Sequence, residues 1–227
     1  MKVLKVAADI FVKPVVSRYL KKERNYFYEG FKIKVIPGVF HPGFFFSTKF
    51  FFKFVSKLSL ENKKFLEIGC GSGLLCLLAA SKKAEVTAVD ISPLAIENTI
   101  KNFKLNEKKI FNINNVKIIE SDLFKNLKNE VYDIIIINPP YFFKKPISIG
   151  DYAWYCGKNG EYFSIFFSQL KKHINTHTDI FMVLSDVCEL ERISILGQEY
   201  NFKMTRICEK KILWEMHYIY KIEKNLA

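Results

Sequence analysis

Four consecutive residues, Asn138-Pro139-Pro140-Tyr141, combine a side-chain amide, two rigid imide rings and a phenol. The Asn138 amide carries both an acceptor oxygen and donor hydrogens. Pro139 restricts it to extended backbone, and the two prolines stiffen the chain behind it. Such a clamp suits a planar nitrogen bearing two protons, with Tyr141 as an aromatic cover. A rigid surface turn is the plainer use of the same residues. A second set lies upstream in Glu67-Ile68-Gly69-Cys70-Gly71-Ser72-Gly73. Its glycines allow a sharp turn and close approach of a ligand to the backbone. The spacing is GxGxG, and Leu74 stands where a dinucleotide fingerprint needs its third glycine. Glu67 would repel a diphosphate and suit an ammonium or sulfonium. Asp90, with Ile91 beside it, lies 21 residues after Gly69, where a carboxylate can accept both ribose hydroxyls or cap a following helix. Asp122 could take an adenine amino proton, with Leu123 against the ring, or it too could be a cap. In this order the four features serve one ligand made of an adenosine and an amino acid.

The elements that must carry these residues alternate. Residues 65–68, 85–91, 116–120, 131–137 and 180–185 read as strands. Residues 73–82, 93–105, 161–173 and 189–200 read as helices, the second with Pro93 in its first turn. The run of four isoleucines before Asn138 marks a buried parallel strand. Residues 203–212 and 216–222 read as a terminal hairpin. The pattern predicts an α/β doubly wound sheet with an antiparallel edge and ligands at the carboxyl ends of the strands. Residues 1–60 read as an N-terminal extension: a helix over 6–22 interrupted by Pro14, a small hairpin over 26–35, a turn-rich loop over 37–43, and a helix over 50–58 capped by Ser47 or Thr48. Residues 61–227 read as the α/β domain that follows this extension. The phenylalanines at 44–46, 50–52 and 54 read as core packing rather than an exposed aromatic patch.

Composition narrows the classes. The chain has 227 residues, 49% hydrophobic and 15% aromatic, enough for one domain with a sizeable core. No apolar run reaches the roughly 20 residues of a membrane helix, and charges in residues 1–20 break any signal-peptide core. Five cysteines without CxxC spacing suggest reduced thiols and a cytoplasmic setting. Cys70 reads as a small filler. The four histidines lack ligand spacing, so no metal is expected. The net charge of +12 is nearly all lysine, with only Arg18, Arg24, Arg192 and Arg206 as arginines. That permits an acidic partner without demanding nucleic acid. Lys144 and Lys145 could meet phosphate, or simply be a solvated pair.

The motifs, in order, resemble those of the class I S-adenosylmethionine-dependent methyltransferases over residues 38–222. The resemblance implies a Rossmann-like seven-stranded sheet of order 3-2-1-4-5-7-6 with strand 7 antiparallel. It assigns S-adenosylmethionine to Glu67, Gly69, Cys70, Gly71, Ser72, Gly73, Asp90, Ile91, Asp122, Leu123 and Asn138, and catalysis to Asn138, Pro139, Pro140 and Tyr141. Asn-Pro-Pro-Tyr implies methylation of a planar nitrogen, in a glutamine amide, adenine N6 or guanine N2. The loop 38–48 resembles that of HemK/PrmC-type enzymes, with Ser47 or Thr48 over the cofactor. This implies a glutamine of a peptide-chain release factor as acceptor and, as in the shorter relatives, a small activator subunit. RNA base-amine methylation is the alternative, and a non-catalytic S-adenosylmethionine- or nucleotide-binding module is the reading from another class.

Overall fold

The computed structural model describes residues 21–44 and 46–225. The expected helix over 6–22 lies outside the described residues save its last two positions. The strands are β1 (Arg24–Tyr28), β2 (Phe31–Val35), β3 (Lys64–Ile68), β4 (Glu85–Asp90), β5 (Val116–Glu120), β6 (Ile134–Ile137), β7 (Asp179–Ser185), β8 (Phe202–Ile212) and β9 (Glu215–Lys224). The helices are α1 (Phe46–Val55), α2 (Leu74–Ser81), α3 (Pro93–Leu105), α4 (Glu161–Leu170) and α5 (Leu190–Glu199).

β3 to β9 form one seven-stranded sheet in the order β5-β4-β3-β6-β7-β9-β8. Counted within the sheet this is 3-2-1-4-5-7-6. The inner strands pair in parallel, and β9 runs antiparallel to both β7 and β8. The expected fold is the observed one. Strand alternation sorts the core into two layers. Phe65, Ile134, Ile136, Phe181, Val183 and Ile219 face α1, α2 and α3. Leu66, Ile68, Ile135, Ile137, Met182 and Leu184 face α4 and α5. The isoleucine run is therefore buried because both faces of β6 are covered.

The order reverses between β3 and β6, and each turns toward a different neighbour there. Ile68 pairs with Ile137 on one side and with Val89 on the other. The residues that follow, Gly69, Asp90 and Asn138, consequently emerge on one rim at the switch point, where open α/β sheets bind ligands.

α1 starts at Phe46, four residues earlier than expected, so Ser47 and Thr48 lie inside its first turn rather than capping it, and both are buried. Their hydroxyls look like caps in the sequence, but the helix uses them on its inner face. Of the phenylalanines expected in the core, Phe50, Phe51 and Phe52 are buried, and Phe54 meets Phe181 edge-on at 4.9 Å, whereas Phe44 is 39% exposed and Phe45 lies outside the described residues. Smaller shifts affect β6, whose ladder begins at Ile134 rather than 131, and α4, which ends at Leu170 rather than 173.

The hairpin of β1 and β2 stands apart from the main sheet. Three buried asparagines, one per turn of α3, hold it. Asn98 Oδ1 accepts from Ile36 N, Asn102 Oδ1 from Lys34 N and Asn106 Oδ1 from Lys32 N, at 2.8, 2.8 and 3.0 Å. Their amide nitrogens donate back to Lys34 O and Lys32 O. Side-chain amides thus satisfy the edge of β2 as a strand would. Asn102 Nδ2 also donates to Ser72 O, and Thr99 Oγ1 to Gly71 O, which ties the same helix to the glycine loop.

Candidate functional site

The loop after β3 is a built cradle. Gly69 N and Cys70 N both donate to Val89 O, at 2.8 and 2.9 Å, and Gly73 N closes a turn on Cys70 O. Gly69 and Gly71 have φ of 77° and 54°, and a Cβ added to either would meet nothing within 4 Å. They are needed for backbone shape, and the space above them is open to a ligand. Gly73 is glycine for packing as well, since a Cβ there would strike Thr99 Cγ2 at 2.7 Å. Gly73 precedes α2 rather than belonging to it. Ser72 and Cys70 are buried, and Cys70 Sγ rests 3.5 Å from Thr99 Oγ1, which fits a filler; burial pushes its thiol well up.

Asp90 is not the cap of α3. Ser92 is, accepting from Ala95 N at 3.4 Å. The Asp90 carboxylate instead accepts from Gly71 N through Oδ2 and from Ser92 N through Oδ1, each at 2.9 Å. Each oxygen keeps a second lone pair, the two acceptors that a ribose diol needs. Burial raises its pKa, and those backbone donors oppose the shift. Ile91 follows, half-buried. Past β5, Asp122 is exposed and opens a turn, with Lys125 N donating to Asp122 O, so it caps no helix. Leu123 has φ of 51°, a costly conformation for a leucine, and its side chain is buried among Phe124 and the α4 layer.

Glu67 is 5% exposed and forms no ion pair among the described residues. Cys76 Sγ donates to its Oε2 at 2.8 Å. Burial pushes its pKa up to about 8, only partly opposed by Cys76, with Asp90 adding to the rise. An isolated buried carboxyl is costly when charged, so this one holds its proton unless a cation comes beside it. The cost makes a pH prediction. The folded state holds the Glu67 proton more tightly than the unfolded chain, whose pKa is 4.5. The fold therefore loses stability as pH rises from the unfolded value through about 8. Glu67→Gln removes that penalty and keeps an acceptor for Cys76. Its melting temperature should match wild type near pH 5 and exceed it by several degrees near pH 9. Parallel melting curves at all pH would show that Glu67 stays ionised in the fold.

Asn138 emerges from β6 on the same sheet face as Ile136 and Glu67, by alternation and by the pairing of Glu67 with Ile136. Tyr141 Oη donates to Asn138 Oδ1 at 3.3 Å. The Tyr141 hydroxyl also meets Ser47 of α1, and burial raises its pKa beyond any titration of use. Ser47 is thus the α1 residue that reaches the motif; Thr48 is buried beside it. Pro139 and Pro140 are buried behind the amide. One residue escaped sequence reasoning. Tyr162, in the first turn of α4, is close enough to Asp90 and Asp122 that their charges add to burial in raising its phenol pKa. No spacing announces it, because α4 reaches that rim only through the fold.

The segment 142–157 is pinned to itself: Phe142 N donates to Trp154 O, Cys156 N to Phe142 O, and Asp151 Oδ2 accepts from Ile147 N and Ser148 N. Among the described residues, no group of three His, Cys, Asp or Glu is placed to hold a metal, and no helix is long and apolar enough to cross a membrane.

Known proteins bear on this geometry. The family model of the methyltransferase small domain matches residues 30–153. A protein assigned as an N5-glutamine methyltransferase in Methanocaldococcus jannaschii is 36% identical over 114 residues, 50% of this chain and 52% of that one. The adenine-N6 methyltransferase of tRNA1(Val) from Aliivibrio salmonicida is 39% identical over 84 residues, 36% of this chain and 34% of its own. The chain thus spans about half of the first relative and a third of the second. Among solved structures, the E. cuniculi complex responsible for methylation of a translation termination factor matches with a TM-score of 0.59, at 20% identity over 82% of this chain and 99% of that one; this likeness is one of fold. With a family match over more than half its length, around this glycine cradle and this Asn-Pro-Pro-Tyr rim, the chain belongs to the methyltransferase small domain family.

Proposed function

We propose that the chain is an S-adenosylmethionine-dependent N-methyltransferase acting on a planar amide or amino nitrogen, with a glutamine side chain of a peptide-chain release factor as its acceptor. The observation that carries the reading is the placement of Asn138 and Tyr141 across the sheet's switch point from Glu67, the open glycine cradle and Asp90. Bound there, S-adenosylmethionine supplies an electrophilic methyl group. Glu67 holds the amino-acid end, Asp90 the ribose hydroxyls, and Asp122 with Leu123 and Tyr162 the adenine side. Asn138 Oδ1 and the Pro139 carbonyl accept the two protons of the acceptor nitrogen and aim its lone pair. The Tyr141 hydroxyl now occupies Asn138 Oδ1, so the acceptor takes that bond over and the ring covers it. No strong base is required, and one proton leaves to solvent after transfer. The effect is positioning and electrostatics. Residues 61–227 make up the methyltransferase domain in this reading, and residues 1–60 an extension whose helix α1 brings Ser47 to Tyr141.

The rim carries features that suit a protein acceptor. Ile147 is 90% exposed and Ile149 50%, on a segment held rigid by Asp151. These aliphatic side chains suit an apolar protein surface, while Phe142, Tyr152 and Trp154 of the same segment, 43%, 41% and 37% exposed, are rings of the kind on which bases stack. Of the cations nearby, Lys144 lies over the Tyr155 ring and Arg192 over the Phe143 ring. The M. jannaschii relative and the E. cuniculi complex fit the same acceptor class. The edge strand β5, beside exposed Ile100, Phe111 and Ile113, offers a small activator subunit a place to add. Together these features agree with a cytoplasmic enzyme of translation.

Transfer of radiolabelled methyl to release factor and to total RNA, offered separately with protease and nuclease controls, tests the assignment. Label should appear in release factor and vanish with protease. Label confined to nuclease-sensitive material would move the acceptor to RNA, the reading that the tRNA-modifying relative favours.

A further inference from the structure

The face of the sheet that carries Glu67 and Asn138 continues into two more polar residues. Ser185 ends β7, and His217 pairs with it across the antiparallel ladder from β9. Both follow the alternation of Val183 and Ile219, which face α1. Ser185 is 0% exposed and His217 2%, and Ser185 Oγ and both ring nitrogens of His217 find no hydrogen-bond partner. Buried polar groups are almost always satisfied, so three orphaned atoms on one cross-strand pair call for a ligand or a water. Phe50 of α1 covers His217, with ring centroids 6.5 Å apart. Cys188 Sγ accepts from Ser185 N, and Cys188 and Glu215 are the groups whose charges reach Tyr141. In the sheet order β3-β6-β7-β9 the orphaned pair lies beyond the Asn138 strand from the glycine cradle.

The acceptor chemistry leaves a matching gap. Asn138 Oδ1 and the Pro139 carbonyl can only accept, and they deal with the amino hydrogens. Every planar acceptor of this class carries an acceptor atom next to its NH2: the oxygen of a carboxamide, or a ring nitrogen of adenine or guanine. That atom loses its water on entering the site and needs a donor. Neutral imidazole and a serine hydroxyl each supply one. Burial lowers the His217 pKa against the opposing charges of Glu215 and Asp186, which keeps the ring neutral with one N–H.

We propose that Ser185 and His217 form the donor half of the acceptor subsite, hydrogen-bonding the carbonyl oxygen of the carboxamide whose nitrogen Asn138 holds. This rests on the methyltransferase reading above. Tyr141 is the gate: it now bonds Asn138 and Ser47, and the acceptor that displaces it from Asn138 opens the way to the pair. Both residues position substrate, and neither touches the methyl donor.

Steady-state methyl transfer to release factor tests this with Ser185→Ala, His217→Gln and His217→Leu, beside Asn138→Ala. Ser185→Ala and His217→Leu should each raise KM for release factor by about 10-fold, the loss of one hydrogen bond to a buried polar group. His217→Gln, which restores a donor, should recover most of it. S-adenosylmethionine affinity should stay at wild-type value in all three. Unchanged KM with a lowered melting temperature would mean a structural water between the two residues and overturn the subsite. Ser185→Ala and His217→Gln decide the matter even where the leucine variant fails to fold. Loss of transfer in Asn138→Ala with normal KM in the others overturns the subsite alone. No transfer by the wild-type protein overturns the function and the subsite with it.

Discussion

Asn138→Ala should reduce methyl transfer by at least about 10²-fold, the usual cost of removing one preorganised hydrogen-bonding group from a reacting centre, while S-adenosylmethionine affinity stays within a few fold. In the proposed function the amide oxygen acts on the acceptor and not on the donor, so the loss belongs in turnover. Alanine forfeits the hydrogen bond from Tyr141 Oη, but Pro139 and Pro140 still hold the backbone from behind. Asn138→Asp separates two contributions. It keeps an acceptor for the amino hydrogens but adds a charge on the face that already carries Glu67, and should fall between wild type and alanine. Single-turnover labelling with saturating S-adenosylmethionine makes the measurement. Turnover unchanged in Asn138→Ala would remove the motif from catalysis.

Asp90→Ala should weaken S-adenosylmethionine by about 10²-fold or more, since two charge-assisted hydrogen bonds are each worth roughly 1.5–3 kcal/mol. Part of the loss arises before any ligand arrives. The carboxylate holds Gly71 N and Ser92 N at 2.9 Å each, so alanine frees the glycine loop and lets α3 lose its entry. Asp90→Asn discriminates the two parts: its oxygen can keep one backbone bond, but its NH2 confronts the other N–H. Calorimetry should therefore show an intermediate affinity for asparagine. Wild-type affinity in the alanine variant would take the ribose role away from Asp90.

The parallel strands and their reversal were legible because each rests on local pattern: isoleucines buried on both faces, Gly69 and Gly71 at a strand end, Pro93 opening a helix. The rim position of Glu67, Asp90 and Asn138 followed from those strands alone. The hidden features depend on contacts between distant segments. Asp90 looks like a cap beside Ser92-Pro93, and only the closed loop shows that it anchors Gly71 instead. Ser47 and Thr48 look like caps because hydroxyls usually favour helix starts; α1 buries them since one of them answers Tyr141. Tyr162, Ser185 and His217 carry no motif, and their neighbours come from other strands and helices. The high pKa of Glu67 is likewise a property of burial and not of its place in Glu-x-Gly-x-Gly.

The three asparagines of α3 act as a ruler read against β2. Four helical residues advance about 6.0 Å, while two strand residues advance about 6.6–6.8 Å. One asparagine per turn therefore nearly matches every second residue of the strand, and the two scales drift apart by under about 1 Å per rung. Three rungs fit within hydrogen-bond tolerance, and the next positions on the scale are Leu94 and Ile110, which bear no amide. Such a vernier has one reading. Sliding the hairpin by a residue would present every amide with the wrong backbone group, and a one-residue insertion in α3 would turn the later rungs by about 100° out of line. Because Asn102 and Thr99 also hold Ser72 O and Gly71 O, the zero mark of this ruler is the glycine loop itself. Whatever touches the hairpin is thereby measured against the proposed cofactor seat.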